Sequence, residues 1–233
     1  MKLVKFGKTM VAGLCIAATL AGAALPTMAL SPAGYTSLAQ IEEMNDADPA
    51  KVQAIKDALA NITVTYDEDN ATWDFNSNYE DFEIDNRNNF VMPWLFVKND
   101  YADLYLGIMV MSQDSTGYYY WTKADILAND MTNPEYTLSY ESKNVSRTYA
   151  TEDQNYVEIL SFIGNDDDIE CFKKILSYER AYLRVNGNYV NNTRRSRTVL
   201  MNQENRQAIA DIVNLYDLLK DATPEERAAA LNG

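Results

Sequence analysis

The side chains available for chemistry are carboxylates, tyrosines and arginines, because the chain contains no histidine. That absence removes Ser-His-Asp and Cys-His nucleophile systems, the common zinc ligand sets and the group that ordinarily exchanges protons near neutral pH. No Ser stands three residues before a Lys, and neither Gly-x-Gly nor Gly-Lys-Ser/Thr occurs. Local Ser-x-x-Lys nucleophiles and phosphate-cradling loops therefore have no support. No catalytic residue and no cofactor is assigned, and the inventory favours binding over catalysis.

Four constellations remain. Asp81, Glu83 and Asp85 recur at every second position, which on a strand spaces them ~6.6 Å apart along one face. Glycoside hydrolases use carboxyl separations of that order, so a carboxylate-based glycan hydrolase is the alternative function. A solvated sheet face gives the same pattern, and a hydrolase further needs one carboxyl in a desolvating cleft. Asp67, Asp69 and Asp74, with Asn70, gather at one turn, and Asn165 to Asp168 gather at another. These are the hard oxygen donors that calcium takes, but neither cluster has the EF-hand spacing, and turn and cap chemistry accounts for both without a metal.

The third constellation is basic. Arg180, Arg184, Arg194, Arg195, Arg197 and Arg206 fall late in an otherwise acidic chain. With the neighbouring tyrosines, Tyr182, Arg184, Tyr189, Arg195 and Arg197 are expected to line a sheet face suited to an anionic glycan or an acidic protein partner. Pairing of these arginines with the acidic half of the chain is the competing reading. Fourth, Tyr118-Tyr119-Tyr120-Trp121 offers a sugar-stacking surface, although strand alternation sends its rings to both faces and at least half of them to the core.

The elements that must position these groups are best defined between Asn155 and Leu219. Tyr156 to Ile163 is rich in β-branched and aromatic residues and reads as a buried strand ending at Gly164-Asn165. A helix follows, its N-cap and first-turn negative charge supplied by Asp166 to Asp168 and its apolar face by Ile169, Phe172, Ile175 and Leu176. On it Cys171 is expected to be a packed thiol. Arg180 to Val185 alternates as a strand, Asn186-Gly187 has the composition of a type I′ hairpin turn, and strand resumes around Arg197 to Met201. Asn202 then caps the longest helical pattern, with Ile209, Ile212, Val213, Tyr216 and Leu219 as its stripe.

Upstream, Leu38, Ile41 and Met44 mark one short helix, and Asp48-Pro49 starts another carrying Val52, Ile55 and Leu59. Ile62 to Tyr66 and Ala71 to Phe75 flank an acidic turn as a hairpin. Phe90 to Lys98 is a strand that Pro93 places at an edge or a bulge. Tyr101 to Met111 is the most apolar strand and belongs in the middle of the sheet, Glu135 to Ser142 is another strand, and Ala124 to Ala128 has no defined form. Thr223-Pro224-Glu225-Glu226 is a capping box before an alanine-rich turn of helix that is free to fray. The predicted architecture is α+β: an antiparallel β-sheet packed by N- and C-terminal amphipathic helices.

Residues 1 to 29 read as a signal peptide. Lys2, Lys5 and Lys8 precede an apolar run from Met10 to Leu25, and Thr27-Met28-Ala29 fits a cleavage site, with Ala33 as an alternative. Residues 30 to 233 then form one α+β domain of an exported bacterial protein, periplasmic or extracellular, with no membrane span after cleavage. The chain has 20 Lys+Arg against 34 Asp+Glu, and removing three lysines leaves 17 − 34 = −17. So acidic a product disfavours nucleic acid as a partner. One cysteine survives cleavage, which excludes an intramolecular disulfide. The function expected is a non-catalytic binding module of the cell envelope or extracellular space, with a proteinaceous inhibitor or assembly subunit also open.

Overall fold

The computed structural model describes residues 47–77, 89–151, 154–190 and 193–232. The expected signal peptide, the expected helix around Leu38 to Met44 and the expected acidic strand with Asp81, Glu83 and Asp85 lie outside the described residues.

The first described helix, α1 (Pro49–Leu59), begins as its sequence dictates: Pro49 fills the first turn and the Asp48 carboxylate accepts from the Ala50 N–H at 2.9 Å. The period then changes to two. β1 (Ile62–Asp67) and β2 (Thr72–Ser77) pair in register, followed by β3 (Asn89–Lys98) and β4 (Leu104–Asp114). Next come β5 (Trp121–Ala128), β6 (Thr137–Glu141), β7 (Ser146–Ala150) and β8 (Asn155–Ile163). The chain continues as α2 (Asp166–Ser177), β9 (Ala181–Val190), β10 (Thr193–Leu200), α3 (Gln203–Lys220) and α4 (Pro224–Asn232).

The mixed α+β class is observed, but the strands divide between two antiparallel sheets rather than one. Six lie in the order β1-β2-β3-β4-β8-β7 and four in the order β10-β9-β5-β6. The chain crosses between the sheets after β4, after β6 and after β8. The second sheet gives the core a facing layer that helices alone would not supply. Ala124, Ile126 and Ala128, without a defined form in sequence, are fully buried at its centre. One apolar cluster draws Val91, Val110 and Leu160 from the larger sheet, Ile126 and Leu183 from the smaller, and Ile55, Ile169, Ile212 and Ala230 from the four helices. Helix α3 lies on β2, β3 and β4, while α1 packs on α3 and α4, so helices near both ends take part in the packing.

Several local expectations change. Asn186-Gly187 is not a turn: β9 runs on to Val190, which pairs Thr193, and Gly187 instead sits opposite Trp121. Pro93 lies in an interior strand, tolerated because it falls past the last β2 pair, Phe75 with Leu95. The α2 cap is Asn165, whose side chain and that of Asp168 satisfy each other's backbone N–H groups. Helix α4 is docked rather than frayed. Buried Arg227 donates to the carbonyls of Leu219, Tyr101 and Ala102 at 2.7, 2.7 and 2.8 Å, and Glu226 accepts from the Thr223 N–H at 2.8 Å.

Candidate functional site

Strand register puts a polar row at one end of the larger sheet's core face. Asn89, Ser112, Glu158 and Arg147 stand side by side across β3, β4, β8 and β7, one step beyond the apolar row Val91, Val110 and Leu160. A further step places Asp114, Tyr156 and Tyr149 in line. The chain leaving β4 folds back over both rows as residues 115–120, so Tyr118, Tyr119 and Tyr120 meet them.

Glu158 is the anchor. Its side chain is 1% exposed, yet both oxygens are satisfied. One accepts from Arg147 Nε at 2.9 Å, and the other from the Tyr119 and Tyr120 N–H groups at 2.5 and 3.1 Å. Burial pushes its carboxyl above the ordinary range, offset in part by those N–H groups and by Arg147. The clamp holds Tyr120 in the left-handed region, φ 53°, which costs a non-glycine residue roughly 1 kcal/mol. The strain turns one ring outward. Trp121 goes the other way, fully buried, with its indole N–H donating to Ser112 Oγ at 2.8 Å.

The outward rings form a continuous knot. Tyr118 lies 5.6 Å from Tyr120 and 4.9 Å from Tyr156, and Tyr156 lies 4.9 Å from Tyr149. Tyr120 and Tyr149 are each 44% exposed. The Arg147 guanidinium sits 5.3 Å from the Tyr120 ring centre and also donates to the carbonyls of Val145 and Trp121. Interplanar angles of 60°, 76° and 50° mean that the rings tilt against one another instead of lying coplanar. They present edges and hydroxyls, with no shared flat surface for a row of sugars.

Asp114 closes the inner side. Burial alone would raise its carboxyl, but hydrogen bonds from Thr116 and Tyr119 and the nearby Arg197 hold it below the ordinary range. Tyr119 OH donates to it at 2.6 Å and Arg197 Nη1 at 3.4 Å. Two buried carboxyls with opposite shifts are the arrangement an acid and base pair takes. Both carboxyls are bonded by the protein's own donors, and two shallow depressions of the surface, about 540 and 460 Å³, lie elsewhere, at Asn202 to Gln207 and between α1 and α3.

The expected basic face divides. Tyr182 and Arg184 lie on the outer face of β9, where Arg184 donates to Thr198 Oγ1 at 3.0 Å and to the Met131 carbonyl. Arg197 pairs with Val185 on the opposite face and turns inward to Asp114. Arg206 donates to the Leu176 and Tyr178 carbonyls at the end of α2. The backbones of Tyr189 and Arg195 belong to β9 and β10, and their side chains are outside the described residues.

The acidic turn resolves into hairpin chemistry. Asp67 accepts from the Asp69 and Asn70 N–H groups and from the Asn70 amide, which lowers its pKa. Half-buried Asp74 is pushed up to about 6 by burial and by the Asp67 charge. Among the described residues no three acidic, cysteine or histidine side chains are placed to share a metal ion. Asp166 binds Tyr216 and, at 2.6 Å, Lys220. Cys171 receives the Tyr136 hydroxyl at 2.9 Å, and Lys174 lies 4.0 Å from the Tyr136 ring centre, so the adjacent cation is already engaged.

Arg147 and Tyr149 are missed by sequence reasoning, since Ser146 to Ala150 is too short to show a period, and Tyr156 reads in sequence only as the start of a buried strand. Glu158 carries a usable signal: an acid inside the apolar run Tyr156 to Ile163 must find partners when buried. Comparison with protein-family models, with curated proteins and with solved structures gives no match. Among the described residues no helix is long and apolar enough to cross a membrane.

Proposed function

We propose that the chain is an exported, non-catalytic interaction module, and that the tyrosine knot around Arg147 is where it meets a protein partner. The observation that carries this reading is the clamp itself. A buried, fully bonded carboxylate holds Tyr120 in a strained backbone conformation that leaves its ring exposed while the neighbouring Trp121 is buried. Tyrosine and arginine are the residues that concentrate binding energy at protein interfaces. The tilted rings fit a folded or extended polypeptide better than a polysaccharide, and Arg147 is neutralised by Glu158, which weighs against an anionic glycan at this place. The signal segment supports an envelope or extracellular setting.

Replacing Tyr120 with the photoreactive analogue benzoylphenylalanine in the exporting cell tests the proposal, with Tyr66, 41% exposed on the distant β1 edge, substituted as the control. A discrete protein adduct at position 120 and none at 66 is expected. If neither position yields an adduct while a neutral or anionic glycan raises the melting temperature, the protein-partner reading fails and a carbohydrate ligand replaces it.

A further inference from the structure

Among the described residues strand β7 is an open edge, and the tyrosine knot leans on it. Among the described residues it pairs with β8 alone, in an unbroken register from Ser146 opposite Ile159 to Ala150 opposite Asn155. Residues Ser146 to Tyr149 are exposed. Such an edge offers a row of backbone donors and acceptors to another chain unless it is blocked. The other edges are blunted in recognisable ways. β10 has a register irregularity between Arg194 and Ser196, β1 ends in Asp67, which closes its own turn, and β6 ends in Glu141. β7 has no proline, no lysine, no acid and no bulge.

Resting on the interaction reading above, we infer that the partner at this edge is a second copy of the chain, joined through antiparallel pairing of β7 with β7 about a two-fold axis at Thr148. In that register Ser146 meets Ala150 and Arg147 meets Tyr149 of the partner, twice. Directly opposed residues share a sheet face, so the larger sheets join into one surface of twelve strands with both tyrosine knots on the same side. The Arg147 guanidinium, which already has Tyr120 on one side at 5.3 Å, then takes Tyr149 of the partner subunit as a second aromatic neighbour, a favourable cation–π contact. Sliding the register two residues one way opposes Arg147 to itself. Sliding it two the other way opposes Tyr149 to itself, and either slide leaves three facing positions in place of five. A shift of one would set a core-facing row against an outward-facing one. The edge is thus self-complementary in one register.

Two five-residue strands bury little area, so the dimer should exchange with monomer at a dissociation constant on the order of 10 µM. Sedimentation velocity of the secreted chain, with circular dichroism to confirm folding of each variant, decides the matter. Wild type should pass from monomer to dimer across about 1–100 µM. Tyr149→Arg, which opposes two cations, should remain monomeric, whereas Tyr149→Glu, which offers Arg147 a carboxylate, should still dimerise. A wild-type chain that stays monomeric overturns the inference. If position 120 nevertheless captures a different protein, the interaction reading survives without it. Association that persists in Tyr149→Arg, or that is lost in both variants, also overturns the inference, because neither pattern follows from the Arg147 to Tyr149 register.

Discussion

Asp74 is the residue whose ionisation the fold opposes most plainly. Its ordinary value is 3.8, and in the folded chain burial and the Asp67 charge raise it to about 6. The folded state therefore binds this proton more tightly than the unfolded chain does. Its contribution is favourable below about pH 4 and is lost as pH climbs through 6. Asp74→Asn should leave stability near pH 4 unchanged and raise it at neutral pH by ~1 kcal/mol after allowance for solvent screening, or about 2–4 °C in melting temperature. A variant no more stable than wild type near pH 7.5 would show that the carboxyl ionises without penalty. The sequence marked Asp67, Asp69 and Asp74 as oxygen donors. It could not show that Asp67 spends its lone pairs on Asn70 and Asp69 while Asp74 is drawn into the sheet, because those fates depend on which strand lies alongside. Glu158 is comparable, visible as an acid out of place but not as the clamp of Tyr120.

At the scale of elements, β3 and β4 depend on one close approach. Gly107 lies directly opposite Trp94, and the indole covers it so closely that an added Cβ would stand 2.1 Å from a ring carbon. Trp94 is only 9% exposed, so the ring has little freedom to retreat. Gly107→Ala should cost ~3 kcal/mol, seen as a lower denaturant midpoint with an unchanged slope. A midpoint within error of wild type would mean that the indole swings aside. Strands and helices with long regular patterns were legible: β4 as a central strand, β8 as a buried one, α3 from its Asn202 cap, α1 from Asp48-Pro49. Those that escaped were decided by distant contacts. Ala124 to Ala128 is featureless alone and becomes the middle of the smaller sheet only because β6 and β9 flank it, and Asn186-Gly187 loses its turn to a longer β9 that needs Trp121 as a neighbour.

For the molecule as a whole, charge is the quantity most directly read from composition. The full chain carries −14, and the segment expected to be removed would take it to −17. Self-repulsion of that size weakens the compact state and is screened within about 10 Å at ~0.1 M salt. The melting temperature should rise by roughly 2–4 °C between about 0.02 and 0.3 M sodium chloride; a fall would show that the mapped ion pairs, such as Lys220 with Asp166, outweigh the repulsion. The class of fold was visible in composition and period, but the partition into two sheets was not, since period reports which face a residue takes and says nothing of which sheet it joins. That partition bears on when the protein can fold. β5 and β6 interrupt the larger sheet, and β7 and β8 interrupt the smaller, so neither can close until most of the chain is in hand, and β10 must arrive before the smaller sheet gains its last strand. Long sequence separations of this kind slow folding. A chain threaded through a membrane pore must stay unfolded until it is across, and were this chain exported as proposed, its order of strands would delay closure of both sheets during the passage.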